Sequence, residues 1–130
     1  MRIHLAFVGK TGFPEIDAGI KRYLERLRRH APTHIHIVKA EKIGKKASQE
    51  KIKELEGERI LKLIDPSGHL LVWDRRGKQL DSVGFANLLK QIRDQGISDL
   101  WMVAGGPLGI SPVLLERATS ILSLSRLTFP

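Results

Sequence analysis

The stretch Leu100-Trp101-Met102-Val103-Ala104-Gly105-Gly106-Pro107-Leu108-Gly109-Ile110-Ser111-Pro112 decides the fold. Leu100 to Ala104 is an apolar run with no polar alternation. It predicts a strand buried on both faces, as in a parallel sheet covered by helices on both sides. Gly105 and Gly106 end the run. Ser111 followed by Pro112 is a helix start, with serine at the cap and proline at the first helical position, where its missing N–H has no intrahelical partner to lose. Strand, glycine turn and capped helix in succession make one βα unit.

Working outward, the same alternation fills the chain. Ile3 to Val8 reads as a first strand ending at Gly9, and Pro14 to His30 as a helix whose Ile16, Ile20, Tyr23, Leu24 and Leu27 share one face. His34 to Val38 is a second strand, followed by a basic, glycine-containing loop from Lys39 to Lys46. Ser48 is the expected N-cap of a helix running to about Ile64. Asp65-Pro66-Ser67-Gly68 is a turn, and His69 to Trp73 a third strand. Asp81 or Ser82 caps a helix with Phe85, Leu88, Leu89 and Ile92 on one face and Gly96 near its end, and Ile121 to Ser125 is a last short strand. The order β-α-β-α-β-α-β-α-β predicts an α/β domain with a mostly parallel sheet and helices on both faces. No repeat or linker divides it, so residues 1–130 read as one domain.

Composition narrows the function classes. Hydrophobic residues make up 42% of the 130, enough for a core and too many for a disordered chain. Lys and Arg number 22 against 14 Asp and Glu, a formal charge of +8, which favours a polyanionic partner through release of counterions from phosphates; a merely soluble basic surface is the other reading. The absence of cysteine excludes disulfides, thiol catalysis and Cys-ligated zinc. His34 and His36 alternate on a strand and no H-E-x-x-H occurs, so no metal is expected. Apolar runs are too short to span a bilayer, and the N-terminus lacks the apolar core of a signal peptide; no membrane partner is expected, and a cytoplasmic location is.

In open parallel sheets ligands gather at the carboxyl ends of the strands. Three segments fall there: Trp73-Asp74-Arg75-Arg76-Gly77, the loop Gly105 to Pro112, and Leu124-Ser125-Arg126-Leu127-Thr128-Phe129-Pro130. Gly105 and Gly106 let backbone approach a ligand without a Cβ in the way, and the helix start after them offers free N–H groups. The loop matches neither a Walker loop nor G-x-G-x-x-G, and by itself it is read first as a tight turn that needs glycine for its own geometry and second as a ligand loop. The apolar, strand-like Leu127-Thr128-Phe129-Pro130 is unlike a polar chain end and reads either as a frayed strand or as a ligand-lining loop. Arg22, Arg26 and Arg29 form a stripe opposite the apolar face of their helix, and Lys39, Lys42, Lys45 and Lys46 a cluster; each is a solvated face or a phosphate track. Asp74 is a catalytic carboxylate or a loop cap, and the cap is favoured.

Gly9 after the first strand, Gly44-Lys45 in the basic loop, Gly105-Gly106-Pro107-x-Gly109 with Ser111, and Leu124-Ser125-x-Leu127-Thr128-x-Pro130 together resemble the ribosomal RNA large subunit methyltransferase H family, of the SPOUT or α/β-knot class. The resemblance runs the whole chain in the same order, and its last two motifs are the specific part. It implies a knotted α/β fold, a homodimer and S-adenosylmethionine as cofactor. It further implies methylation at N3 of a pseudouridine in large-subunit ribosomal RNA, in the assembled ribosome. Carried over by position, the cofactor loops fall on Trp73, where the family often has leucine, on Gly105 and Gly106, and on Leu124, Ser125, Arg126, Leu127, Thr128 and Phe129. The family's chain continues past the position of Pro130 by a helix and a short tail that threads the knot and carries the residues proposed to meet the substrate. The resemblance therefore implies a domain truncated at its C-terminal side, with an incomplete knot, and leaves the catalytic residues unknown. Two other classes compete: a non-catalytic RNA- or ribosome-binding α/β module, which would treat the glycine loops as turns, and a flavodoxin-like nucleotide-binding domain, against which the missing phosphate loop after the first strand counts.

Overall fold

The computed structural model describes residues 1–41 and 48–128. Its elements are β1 (Arg2–Val8), α1 (Pro14–Arg28), β2 (Thr33–Val38), α2 (Gln49–Leu61), β3 (His69–Gln79), α3 (Ser82–Asp94), β4 (Asp99–Ala104), α4 (Pro112–Arg117) and β5 (Ser120–Ser123). The strands form one sheet in the order β2-β1-β4-β3-β5, and every neighbouring pair is parallel. The α/β architecture expected from the alternation is the one observed.

Core residues sort by strand parity onto the two faces of the sheet. On one face Ala6, Val38, Leu70, Val72, Trp101 and Val103 meet Ile60 of α2 and Leu114 of α4. On the other, Leu71, Leu100, Met102 and Leu122 meet Ile92 of α3, with Phe85, Leu88 and Leu89 packed against them. β4 is central: Leu100 and Val103 are fully buried, one toward each face, as the unbroken apolar run requires. α1 contributes no fully buried residue. Its Ile16, Ile20 and Tyr23 stay exposed, so the periodicity that sets their common face does not bury it within one chain.

The caps follow the sequence signals. Ser48 accepts from the Lys51 N–H at the start of α2, Asp81 from Gly84 at the start of α3, and Ser111 from Leu114 at the start of α4. α2 and α4 approach closely because Gly57 has no side chain: a Cβ there would lie 2.2 Å from Ser111 Oγ.

Several boundaries differ from expectation. β3 does not end at Trp73. Asp74 to Gly77 bulges out, and Lys78 and Gln79 then return to pair with Leu122 and Ser123 of β5. Gly77 makes this possible, since a Cβ there would meet the Leu122 backbone at 2.6 Å. β5 is Ser120–Ser123 and not Ile121 to Ser125, because Leu124 and Ser125 leave the ladder and turn over the carboxyl end of the sheet. α1 and α2 also stop a few residues before the expected His30 and Ile64.

Candidate functional site

β3, β4 and β5 run parallel, so the residues that follow them emerge at one end of the sheet. A cavity of about 710 Å³ opens there, within the ~300–1,000 Å³ range of small-molecule sites. Trp73, Gly105, Gly106, Leu124, Ser125, Leu127 and Thr128 line it together. Arg126 does not line it, and Phe129 lies outside the described residues. Lys53 of α2 also lines it, which no local pattern signals, because α2 reaches the site through its packing on α4.

The glycine loop has a double role. Gly106 and Gly109 form an antiparallel bridge, with Gly109 N–H donating to the Gly106 carbonyl at 2.9 Å, and Gly109 has a φ of 91°. A Cβ on Gly105 would lie 2.7 Å from Gly109 O and 2.8 Å from Ile110 Cδ1. A Cβ on Gly106 would face the protein as well, 3.3 Å from both Glu56 Oε1 and Val8 Cγ1. The turn reading therefore accounts for the lack of a side chain at Gly105, whereas the neighbours of Gly106 belong to α2 and β1; the same loop backbone forms a wall of the cavity. The expectation that a side chain at Gly106 would fill ligand space changes accordingly: it would press first on Val8 and Glu56.

Asp74 acts as the cap of the bulge. It accepts from the Arg76 backbone N–H at 2.9 Å and from the Arg76 guanidinium at 2.9 and 3.0 Å. The hydrogen-bonded Arg76 side chain holds its carboxyl below the usual carboxylate range, against the opposing effect of burial. A carboxylate held ionised in this way is a poor proton acceptor, so the favoured reading of Asp74 as a structural cap fits the geometry. Arg75 is exposed beside it at the cavity mouth.

Glu56 stands behind the glycine loop. It is 5% exposed, its Oε2 accepts from the Glu41 N–H at 3.1 Å, and burial pushes its carboxyl up. Arg59 donates to the Lys39 carbonyl at 2.8 Å and pairs with Glu41, which ties the residues after β2 to α2.

The other sequence candidates lie elsewhere. Arg22, Arg26 and Arg29 are exposed on or just after α1, with Arg26 over the Tyr23 ring, and Lys39 is exposed after β2. Gly44, Lys42, Lys45 and Lys46 lie outside the described residues. At the amino end of the sheet, His4 donates Nε2–H to Asp99 at 2.8 Å, lies 3.0 Å from His36 Nε2 and stacks on Trp101 at 4.2 Å. Alternation puts His34 and His36 on one face of their strand but does not say which strand lies beside it. Among the described residues no group of His, Asp and Glu could hold a metal ion, and no helix is long and apolar enough to cross a membrane.

Comparison with known proteins gives the same direction along the whole chain. The family model described as "Predicted SPOUT methyltransferase" matches residues 1–130. A ribosomal RNA large subunit methyltransferase H from Syntrophobacter fumaroxidans is 53% identical over 131 aligned residues, covering 100% of this chain and 83% of that relative. Proteins of the same name from Trichlorobacter lovleyi and Halothermothrix orenii are 39% and 38% identical, each over 99% of this chain and over 82% and 83% of their own lengths.

Proposed function

The chain belongs to the SPOUT methyltransferase family, and we propose that it transfers a methyl group from S-adenosylmethionine to N3 of a pseudouridine in large-subunit ribosomal RNA. On this reading it works in the cytoplasm, as a homodimer, on the assembled ribosome. The names of the relatives support the substrate class.

The observation that carries the cofactor reading is the cavity over β3, β4 and β5. Leu124 and Leu127 line it yet are 70% and 73% exposed, apolar side chains left in solvent around a space of ligand size. The residues fit the group. Trp73, Leu124 and Leu127 offer apolar walls to an adenosine, and the backbone from Gly105 to Ile110 offers hydrogen-bonding groups at close range. Lys53 and Arg75 offer cations to a carboxylate. When bound, S-adenosylmethionine supplies an electrophilic methyl on a sulfonium, so the protein's task is to hold donor and acceptor in line and to keep water out. The sulfonium donor needs no base to activate it, and the acceptor's N3 proton is released to solvent as the N–CH3 bond forms. The exposed cations Arg75, Lys39 and the α1 arginines would meet RNA phosphates, which fix position without reading sequence.

The test is transfer of a labelled methyl group from S-adenosylmethionine to ribosomes lacking the modification, followed by mass spectrometry of the RNA nucleosides. The proposal expects label in N3-methylpseudouridine. Ribosome binding with no transfer and no affinity for S-adenosylmethionine would favour the non-catalytic binding module instead.

A further inference from the structure

Glu56 is a buried carboxylate that the site, as described so far, does not use. Burial of an ionised carboxylate is costly unless something compensates it. Its Oε2 has the Glu41 N–H. Its Oε1 is turned to the glycine loop, 3.3 Å from where a Gly106 Cβ would stand. Gly106 lines the cavity on its other side, so one glycine separates this oxygen from the ligand space. Lys53, one helical turn earlier on α2, lines the cavity without coming into ion-pair range of Glu56, and Arg59 is engaged with Glu41 and the Lys39 carbonyl. On the far side of the cavity Asp74 is neutralised by Arg76. Val8 on β1 and Gly106 bring no charge toward Glu56.

We infer that Glu56 is the negative pole of this pocket, favouring the positively charged methyl donor over the product left after transfer. The role presupposes that the pocket takes S-adenosylmethionine. The donor carries a sulfonium, an ammonium and a carboxylate, a net charge of plus one. Transfer breaks the S–CH3 bond and forms the N3–CH3 bond of the pseudouridine as the N3 proton is released to solvent; the S–CH3 electron pair stays on sulfur, and the spent product is a zwitterion with no net charge. Donor and product share every other charged group, so a nearby carboxylate acts differently on the two only through the sulfonium. A site that binds the spent product less well than fresh donor clears itself after each turnover. Glu56 is a positioning residue in this sense: it acts on the ligand's charge through the loop and does not touch the reacting atoms.

Titration calorimetry with S-adenosylmethionine and, separately, S-adenosylhomocysteine tests this on the chain and on Glu56→Gln. Removing one charge at this range should weaken the donor by about tenfold and leave the product within about twofold. Equal loss for both ligands, or no loss for either, overturns the inference. Glu56→Asp keeps the charge and should keep the preference for donor. If Glu56→Gln does not fold, the wild-type protein still decides: it should bind the donor more tightly than the product, and equal affinity or a preference for the product overturns the inference. Failure of the underlying site reading looks different, because the wild-type chain would then bind neither ligand.

Discussion

Alanine at Gly105 and alanine at Gly106 should have different costs, although the residues are neighbours in one loop. Neither has a positive φ, so the contacts of the new Cβ decide. At Gly105 the methyl would sit 2.7 Å from Gly109 O, 2.8 Å from Ile110 Cδ1 and 2.9 Å from Gly109 C. To reach the 3.4 Å of ordinary contact the Gly109 carbonyl has to withdraw by about 0.7 Å. That movement pulls on the 2.9 Å bond from Gly109 N–H to the Gly106 carbonyl and pushes on Ile110, a core residue. Overpacking of this kind with one strained hydrogen bond costs about 2 kcal/mol, or about 1 M urea at a slope of roughly 2 kcal/mol/M. At Gly106 the nearest atoms are 3.3 Å away and one belongs to the Glu56 side chain, which can yield by a few tenths of an ångström. The loss of unfolded-state freedom on replacing glycine offsets much of that strain, so Gly106→Ala should stay within about 0.5 kcal/mol of wild type. Urea denaturation at one fixed protein concentration reads both. Equal midpoints for the two variants, or a Gly106→Ala less stable than Gly105→Ala, would refute the assignment of Gly105 to turn closure.

Further outcomes follow from the same geometry. Asp74→Asn keeps the shape but loses the charged clasp on Arg76; the bulge that lines the pocket should loosen, with S-adenosylmethionine affinity falling several-fold by calorimetry and the urea midpoint nearly unchanged. Burial, with the charges of His4 and His34, lowers the His36 pKa from 6.5, so the folded state binds fewer protons than the unfolded one. Stability from this group is present above pH 6.5 and is lost as pH falls through that value toward the lower folded-state pKa; His36→Gln should flatten the melting temperature against pH in that window. Affinity for ribosomal RNA should fall with salt by a log–log slope of about −0.7 to −0.9 per phosphate contacted, and a slope near zero would remove the phosphate-docking reading of the basic residues.

Much of this was legible before any coordinates, for physical reasons that can be named residue by residue. Leu100 to Ala104 could only be a strand covered on both faces, and Ser48, Asp81 and Ser111 cap the helices they precede. What escaped were contacts between segments distant in sequence. The run from Asp74 to Gly77 looks like a loop, and nothing local says that Lys78 will rejoin β5. Ile16, Ile20 and Tyr23 repeat with helical period whether or not anything covers them, so periodicity gives their common face and not their burial. Lys53 and Glu56 read as ordinary surface charges of a helix; only the close approach of α2 to α4 at Gly57 and Ser111 carries that face to the pocket and the glycine loop. The strand ends and the motif spacing point to the pocket loops. Their convergence on one cavity depends on β5 pairing next to β3, which element order alone does not dictate.

If the carboxyl ends of β3, β4 and β5 form the methyl-donor site, the ligand must contact the loops that leave them. Amide chemical-shift mapping of the isotope-labelled chain titrated with S-adenosylmethionine tests it without altering a residue. Saturable shifts should be concentrated at Trp73 to Arg76, Gly105 to Ile110 and Leu124 to Thr128, with α1 and the amino ends of the strands, His4 and Asp99 included, unmoved. Shifts centred on the amino ends or on α1, or a spectrum that does not change at saturating ligand, would contradict it.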